Sequence, residues 1–319
     1  MVSLRRSRAA GSSFAIATVT RSPHRFDRWL AYHQRLGAAR LFVCVEETPS
    51  ALAHCTALGA LVRLRHARAA ANPYETIIQR QEAHVDWALA ECARLGIAWL
   101  VHCDDDELLF LGARFESVAA ACPREASCIV ISNVEAVPST ESSDFTTIST
   151  FCFDDDGFLA YVNGKSAGRV GHCRAFGCHR FSGVEWEAPR ELICILHFES
   201  CPYSRWHDKF RHYARLTRPT RHTNMPFRFY VDSIAAHREA QAAREAGALE
   251  DSIDARLRAF WRKRKQRHYL AYSRSFVTIH HYALDEADAH DSRKRRRCTY
   301  YPSRPALLPA PSCVENNPF

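Results

Sequence analysis

A run of four acidic residues, Asp104 to Glu107, directly follows the apolar segment 97–103. Four adjacent carboxylates repel one another, and burying any of them without a partner is costly. An apolar segment of this length is typical of a buried strand, so the acids are expected at the end of a strand. A hard divalent cation at the edge of the sheet would neutralise this repulsion.

Strand-like and helix-like patterns alternate before the acidic run. Strands are predicted at 14–19, 41–45, 61–64 and 97–103, and helices at 26–36, 51–58 and 74–95. This alternation is typical of a Rossmann-like, mostly parallel sheet flanked by helices, so we predict an α/β fold. Further strands are predicted at 129–134, 146–153 and 192–198, and helices at 203–215, 234–248 and 253–269.

A metal site is one interpretation of the acidic run. Open α/β sheets bind ligands at the carboxyl ends of their strands, and alternate residues of an extended chain point to the same side. Asp104 and Asp106 are therefore predicted to face one divalent cation, Mg²⁺ or Mn²⁺, with Asp105 directed elsewhere. His197, at the end of segment 192–198, is a candidate third ligand, although a lone histidine there is more often a satisfied core residue. The alternative for the acids is a solvated turn or a helix N-terminus.

Lys165 and Arg169 form a second motif of interest. Gly164, Lys165 and Ser166 resemble the end of a phosphate-binding loop, but Leu159 stands where that loop requires glycine. Lys165 and Arg169 could still offset the charge of a departing diphosphate. The alternative is a surface turn.

Charge and cysteine content narrow the class of protein. Lys and Arg number 43 against 35 Asp and Glu, a formal net charge of +8, with basic runs at 261–267 and 293–297. We interpret these runs as solvated helix faces or tails, with binding to nucleic acid or an acidic surface as the alternative. The 13 scattered cysteines favour reduced, buried thiols over a disulfide framework. Neither a membrane span nor a signal peptide is recognised, so a soluble, cytoplasmic protein is expected.

Five segments, in order, resemble glycosyltransferase family 92 and the related glycosyltransferase 2-like group. Segment 26–37 is similar to the family pattern E-W-x-x-Y-H-x-x-x-G, segment 41–45 to its second strand, and segment 81–108 to Q-x-A … W … D-x-D-E-F. Segment 165–181 resembles K-S-x-x-R … H, and segment 196–210 resembles H-Y-x-x-[RK]-S-x-x-x-F-x-x-K with a shifted interval. The resemblance covers about residues 14–215.

The resemblance implies a GT-A fold and a set of site residues. Thr20, Arg21 and Glu46 would lie near the nucleotide base. Asp104 and Asp106 would hold Mn²⁺ or Mg²⁺ against the diphosphate, with His197 as the third ligand. Lys165 and Arg169 would face the donor phosphates or sugar. The family is inverting, which implies a carboxylate that deprotonates the acceptor hydroxyl. Glu185 is the first candidate, with Glu187 and Glu199 as alternatives.

The sequence thus predicts a hexosyltransferase that uses a nucleotide-diphosphate sugar. UDP is the expectation from the family, galactose is one candidate sugar, and the acceptor would be a glycan or protein hydroxyl. Two other classes remain as alternatives: a metal-dependent phosphoryl-transfer enzyme, and a non-catalytic protein that binds through its basic C-terminus. Nucleic acid is not the expected partner.

Four regions are predicted along the chain. They are a flexible basic N-terminus at 1–12, a GT-A domain at 13–228, a helical extension at 229–290, and a basic, Pro-rich disordered tail at 291–319.

Overall fold

The computed structural model describes residues 12–58, 62–67, 77–215, 227–281 and 301–302, without the side chains of 65–67 and 301–302. It is an α/β structure with helices flanking the sheets, as predicted, but it has two large mixed sheets where one mostly parallel sheet was expected. The N-terminal region at 1–11 and nearly all of the tail at 291–319 lie outside the described residues.

The described strands and helices follow one another in chain order. The strands are β1 (Phe14–Thr20), β2 (Leu41–Glu46), β3 (Val62–Ala67), β4 (Trp99–His102), β5 (Glu107–Leu111), β6 (Cys128–Ile131), β7 (Asn133–Ala136), β8 (Thr150–Cys152), β9 (Lys165–Arg169), β10 (Ala175–Phe176), β11 (Arg180–Phe181), β12 (Glu185–Glu187), β13 (Ile193–His197), β14 (Phe276–Thr278) and β15 (Tyr301–Pro302). The α-helices are α1 (Phe26–Leu36), α2 (Pro49–Ala57), α3 (Ile77–Leu95), α4 (Phe115–Ala121), α5 (Tyr203–Ala214), α6 (Arg228–Glu245) and α7 (Glu250–Trp261).

The larger sheet has seven strands in the order β12-β6-β9-β4-β1-β2-β3. Strands β3, β2, β1 and β4 are parallel, and β9 runs antiparallel to both β4 and β6. The strand order reverses direction at β1 and β4, so the carboxyl ends of these two strands flank a switch point, where open α/β sheets bind ligands. Residues of β1 and β4 are buried throughout, as expected for parallel strands covered on both faces.

Helix α1 holds the acidic turn in place. Its apolar face buries Phe26, Trp29 and Leu30, and the helix ends at Gly37 in the left-handed conformation (φ 99°). The Trp29 indole N–H donates to the backbone carbonyls of Asp104 (3.2 Å) and Glu107 (2.8 Å). The first predicted helix therefore also fixes the backbone on which the acids are carried.

The second sheet has six strands in the order β15-β14-β8-β7-β13-β5. The predicted strand at 129–134 is in fact two strands, β6 and β7, which belong to different sheets and meet at Ser132. Strand β5 was not predicted, because its first residue, Glu107, is charged and belongs to the acidic run. The Glu107 side chain is nevertheless fully buried, since neighbouring donors satisfy its carboxylate.

A helical segment follows the sheets. Helices α5, α6 and α7 pack around buried aromatic residues that include Trp206, Phe210, Tyr230, Trp261 and Tyr269. The predicted extension at 229–290 is helical as far as Ser275, through a π-helical turn at Arg262–Arg267 and a 3-10 segment at His268–Ser275. The chain then returns to the second sheet as β14, and the last part of the predicted extension, 282–290, lies outside the described residues.

Among the described helices, none combines the length and apolar character needed to cross a membrane. The cysteines within the described ranges are free thiols, and most of them are buried.

Candidate functional site

A cleft of about 630 Å³ opens at the carboxyl ends of β1, β2 and β4. Its walls include Thr20, Arg21 and Glu46 from the first two strands, the three aspartates 104–106 from the turn after β4, and His197 from the end of β13. The two sheets therefore meet at this edge. Six of the predicted site residues line the cleft, namely Thr20, Arg21, Glu46, Asp104, Asp106 and His197, whereas Lys165, Arg169 and Glu185 do not.

Three side chains in the cleft could hold a metal ion. One ligand atom each from Asp106, His197 and Glu199 lies within 4.8 Å of the others, the only such group within the described ranges. His197 and Glu199 are buried and Asp106 is half-buried. Two carboxylate oxygens and one imidazole nitrogen suit Mn²⁺, and a half-open site leaves positions for a substrate oxygen.

His197 is oriented for this role by Glu135. The parallel register of β7 and β13 pairs the two residues, and His197 Nδ1 lies 2.8 Å from Glu135 Oε1. The other ring nitrogen, Nε2, lies 3.9 Å from Glu199 Oε2 and is left for a ligand. Burial alone lowers the pKa of His197, but the Glu135 carboxylate outweighs it and raises the pKa to about 9. A cation that binds here would displace a proton from the ring.

Glu199 is held by groups from the helical segment. Its carboxylate accepts hydrogen bonds from Lys209 Nζ (2.9 and 3.1 Å), from the Tyr230 hydroxyl (2.7 Å) and from the Ser200 hydroxyl. Burial works to raise the pKa of Glu199, but Lys209 and His197 hold it well below its usual range. Glu199 is therefore an ionised carboxylate, as a metal ligand must be.

Asp104 is not part of this group, contrary to the prediction. Its Oδ2 lies 2.5 Å from Lys165 Nζ, and its Oδ1 accepts from Gln81 Nε2 at 3.0 Å. Asp105 and Asp106 form a turn, so the alternation of an extended strand does not apply and Asp104 and Asp106 acquire different partners. Lys165 is fully buried; burial lowers its pKa, but the carboxylates of Asp104 and Glu107 raise it above its ordinary value.

Asp105, predicted to point elsewhere, lies in the cleft. It accepts hydrogen bonds from the Thr20 hydroxyl (2.5 Å) and from Arg205 Nη2 (2.7 Å). Burial raises the pKa of this carboxyl. Asp105 therefore ties the end of β1 to the start of α5 across the cleft.

Glu107 closes the acidic turn from below. It accepts from the backbone N–H of Asp104 at 2.7 Å and from the Tyr161 hydroxyl. Burial raises the pKa of Glu107 to about 7. The role of Glu107 is structural, because its hydrogen bonds hold the acidic turn in position.

The residues predicted near the nucleotide base line the cleft. Arg21 pairs with Glu47 at 3.0 Å, and Glu46 pairs with Arg80 through two contacts of 2.6 and 3.0 Å. The Glu46 carboxylate is thus already occupied by a guanidinium.

Arg169 is not brought to the cleft. Because β9 is antiparallel to β4, Arg169 pairs with Trp99 at the start of β4, whereas Lys165 lies near its end. The Arg169 guanidinium stacks on the Trp99 ring at 4.5 Å and donates to the carbonyl of Ala126 at 3.0 Å. Its role is in packing, since a residue four positions along a strand is carried to the opposite edge of the sheet.

Glu185, the predicted general base, is also outside the cleft. It lies on the edge strand β12, its side chain is 51% exposed, and its nearest cation is Arg180 at 3.7 Å. Glu187 accepts a hydrogen bond from Ser132 instead. Of the three candidates only Glu199 lines the cleft.

Sequence reasoning assigned no role to Arg205, Lys209 and Tyr161, which all line the cleft. Arg205 and Lys209 are four residues apart, so both project from one face of α5, just after the strand that carries His197. That spacing was one available signal, and the resemblance of segment 196–210 to a family pattern with two basic positions was another. Tyr161 comes from an irregular loop and carried no signal.

No family model matches the sequence, and no curated protein matches it. Among solved structures, HddC from Yersinia pseudotuberculosis is similar at 9% identity over 61% of this chain and 99% of its own, with a TM-score of 0.30. Mannose-1-phosphate geranyltransferase from Thermus thermophilus is similar at 14% identity over 76% of this chain and 67% of its own, with a TM-score of 0.26. Alignments at these TM-scores establish neither a shared fold nor a shared activity.

Proposed function

We propose that this chain is a metal-dependent glycosyltransferase of the GT-A type, related to family 92, that transfers a hexose from a nucleotide-diphosphate sugar to a hydroxyl group. The observation that carries the proposal is the group of Asp106, His197 and Glu199 in the cleft at the carboxyl ends of the parallel strands. UDP is the proposed nucleotide, and galactose is the first sugar to test.

The cleft has the size and charge for such a donor. Its volume of about 630 Å³ falls in the range of small-molecule sites. Arg21, Arg205 and Lys209 bring positive charge to the same space as the acids. A diphosphate in the cleft would find both cationic side chains and the proposed metal ligands around it, and charge-assisted hydrogen bonds to phosphate are strong.

The donor set fits a divalent cation, with Mn²⁺ or Mg²⁺ proposed. Asp106, Glu199 and the Nε2 atom of His197 would hold the ion, while Glu135 keeps His197 in the required orientation. When bound, such an ion would stabilise negative charge on the departing diphosphate.

The chain's own residues have further roles in this proposal. Lys209 sits between Glu199 and the open cleft, so it would contact a donor phosphate while it holds the ligand. Arg205, anchored by Asp105, would do the same from the preceding turn of α5. Among the predicted bases, Glu199 suits a metal ligand better than a base. Burial works to raise its pKa, but Lys209 and His197 hold the pKa well below its usual range, and this makes the carboxylate a weak base.

The experiment is a donor-hydrolysis assay with a panel of UDP- and GDP-sugars in the presence of Mn²⁺. The wild-type chain should release nucleotide from at least one donor, and Asp106→Asn and His197→Ala should abolish the release. Glu185→Gln serves as a matched control, because Glu185 is a carboxylate outside the cleft. Absence of nucleotide release from every donor, with and without simple sugar acceptors, would contradict the proposal.

A further inference from the structure

Lys265 is a buried cation in a run that the sequence presents as a solvated basic face. Its side chain is fully buried, while its neighbours Lys263 and Arg267 are exposed. The inward-facing residues of α7 recur every four positions at Ile253, Leu257 and Trp261, and Lys265 takes the next position. A charged residue therefore occupies the next position of an otherwise apolar, buried stripe.

A π-helical turn keeps Lys265 on this inner face. In an α-helix a four-residue step rotates the side chain by about 40° from its predecessor, so a stripe with this period drifts away from the core. The wider turn at Arg262–Arg267 offsets the drift, and Tyr269, four residues after Lys265, is also fully buried. Turns of this kind are frequent at functional sites.

Lys265 and Tyr269 both converge on Glu135. Lys265 Nζ lies 3.7 Å from Glu135 Oε2, and the Tyr269 hydroxyl donates to the same oxygen at 3.3 Å. The other oxygen of Glu135, Oε1, is the partner of His197 Nδ1 at 2.8 Å. Glu135 is fully buried, so its two oxygens are divided between the helical segment and the candidate metal ligand.

We propose that Lys265, together with Tyr269, is a positioning residue for the metal centre: it holds the Glu135 carboxylate in the orientation that directs Nε2 of His197 into the cleft. This inference rests on the proposed metal site. Without Lys265 the buried Glu135 carboxylate would lose one of its two charged partners, and its Oε2 side would rearrange or admit water. The hydrogen bond that fixes the His197 ring would then be weakened, and partners of this kind are typically worth roughly 10- to 100-fold in metal affinity.

The test compares Lys265→Met with Lys263→Met, a matched loss of charge at an exposed position two residues away. Mn²⁺ affinity, measured by calorimetry on the full chain, should fall roughly 10- to 100-fold in Lys265→Met and stay unchanged in Lys263→Met. In the metal-free protein, ¹⁵N spectra of the histidine rings should show a shifted or lost Nδ1 proton signal for His197 in Lys265→Met alone.

A double variant, Lys265→Met with Glu135→Gln, separates positioning from a purely structural role. It leaves no unpaired buried charge, so its urea midpoint should approach that of the wild type, while its Mn²⁺ affinity should stay weak. Recovery of both properties would overturn the inference, as would an unchanged affinity in Lys265→Met. If the wild type does not bind Mn²⁺, the metal site and this inference fail together. If the wild type binds Mn²⁺ and Lys265→Met binds it equally well, only this inference fails.

Discussion

Replacement of Asp104 by asparagine separates the two roles that an acid in this cleft can have, counter-ion and metal ligand. Asp104 Oδ2 lies 2.5 Å from the Nζ atom of the fully buried Lys165. The variant leaves that ammonium with Glu107, at 3.8 Å, as its remaining carboxylate. Breaking one side of a buried ion pair costs about 3–5 kcal/mol. Because Asp104 is 26% exposed and Glu107 remains, we expect the low end, about 3 kcal/mol of unfolding free energy.

The same variant should keep its Mn²⁺ affinity, because Asp104 is outside the ligand group. Asp106→Asn is the matched control and should behave in the opposite way. It should lose Mn²⁺ binding and keep its stability, since it removes one charge from a cluster of like charges.

Urea unfolding in the presence of a chelator measures the stability of both variants, and calorimetric titration with Mn²⁺ measures their metal affinity. The reasoning is refuted if Asp104→Asn loses Mn²⁺ binding while its unfolding free energy is unchanged. That result would make Asp104 a ligand and give the Lys165 pair no structural weight.

Three further predictions concern individual contacts. Burial works to raise the pKa of Asp144, but hydrogen bonds from His24 and Thr146 hold that pKa at about 2. The ionised carboxyl therefore stabilises the fold above pH 4, and this stabilisation is lost as the pH falls towards 2. In urea unfolding at a series of acid pH values, the stability difference between wild type and Asp144→Asn should shrink by about 2 kcal/mol across that window. Trp261→Ala should cost about 3–5 kcal/mol in the same assay at neutral pH, because the ring is fully buried, and a smaller loss would show that the helical segment is not part of the cooperative fold. Arg205→Ala should weaken binding of a UDP-sugar by about tenfold or more through loss of a charge-assisted hydrogen bond, with Mn²⁺ affinity unchanged in calorimetry; equal donor affinity would remove Arg205 from the site.

Much of the first sheet could be predicted from the sequence because its signals are local. The helix at Phe26–Leu36 has both a clear apolar face and a glycine at its end, and its predicted bounds match the structure. Strands β1, β2 and β4 are mostly apolar and buried throughout, and they lie within one or two residues of their predicted limits. Periodicity and capping residues carry this information without reference to the rest of the chain.

The second sheet was harder to predict, because its formation depends on the pairing of strands that are distant in sequence. Strand β5 begins with a charged residue. The change of sheet at Ser132 falls inside segment 129–134, which has no turn residue such as glycine or proline to mark it. Only the pairing of β7 and β5 with β13 distinguishes these strands from their surroundings.

The site was predicted in part for the same reason. His197 and Asp106 were identified because each follows an apolar strand. Glu199 was considered only as a base, since its closeness to His197 and Asp106 depends on how two sheets meet. Lys165 was expected to contact a donor phosphate, but it forms an ion pair with Asp104 instead. Residue spacing does not reveal that β9 lies antiparallel beside β4, and this arrangement brings Lys165 to Asp104.

The most direct test of the metal centre is anomalous diffraction from crystals of the wild-type chain grown or soaked with Mn²⁺. We expect one strong anomalous peak in the cleft, bonded to Asp106, Glu199 and the Nε2 atom of His197. A fully occupied peak on Asp104 instead, or no peak in the cleft at saturating Mn²⁺, would contradict it.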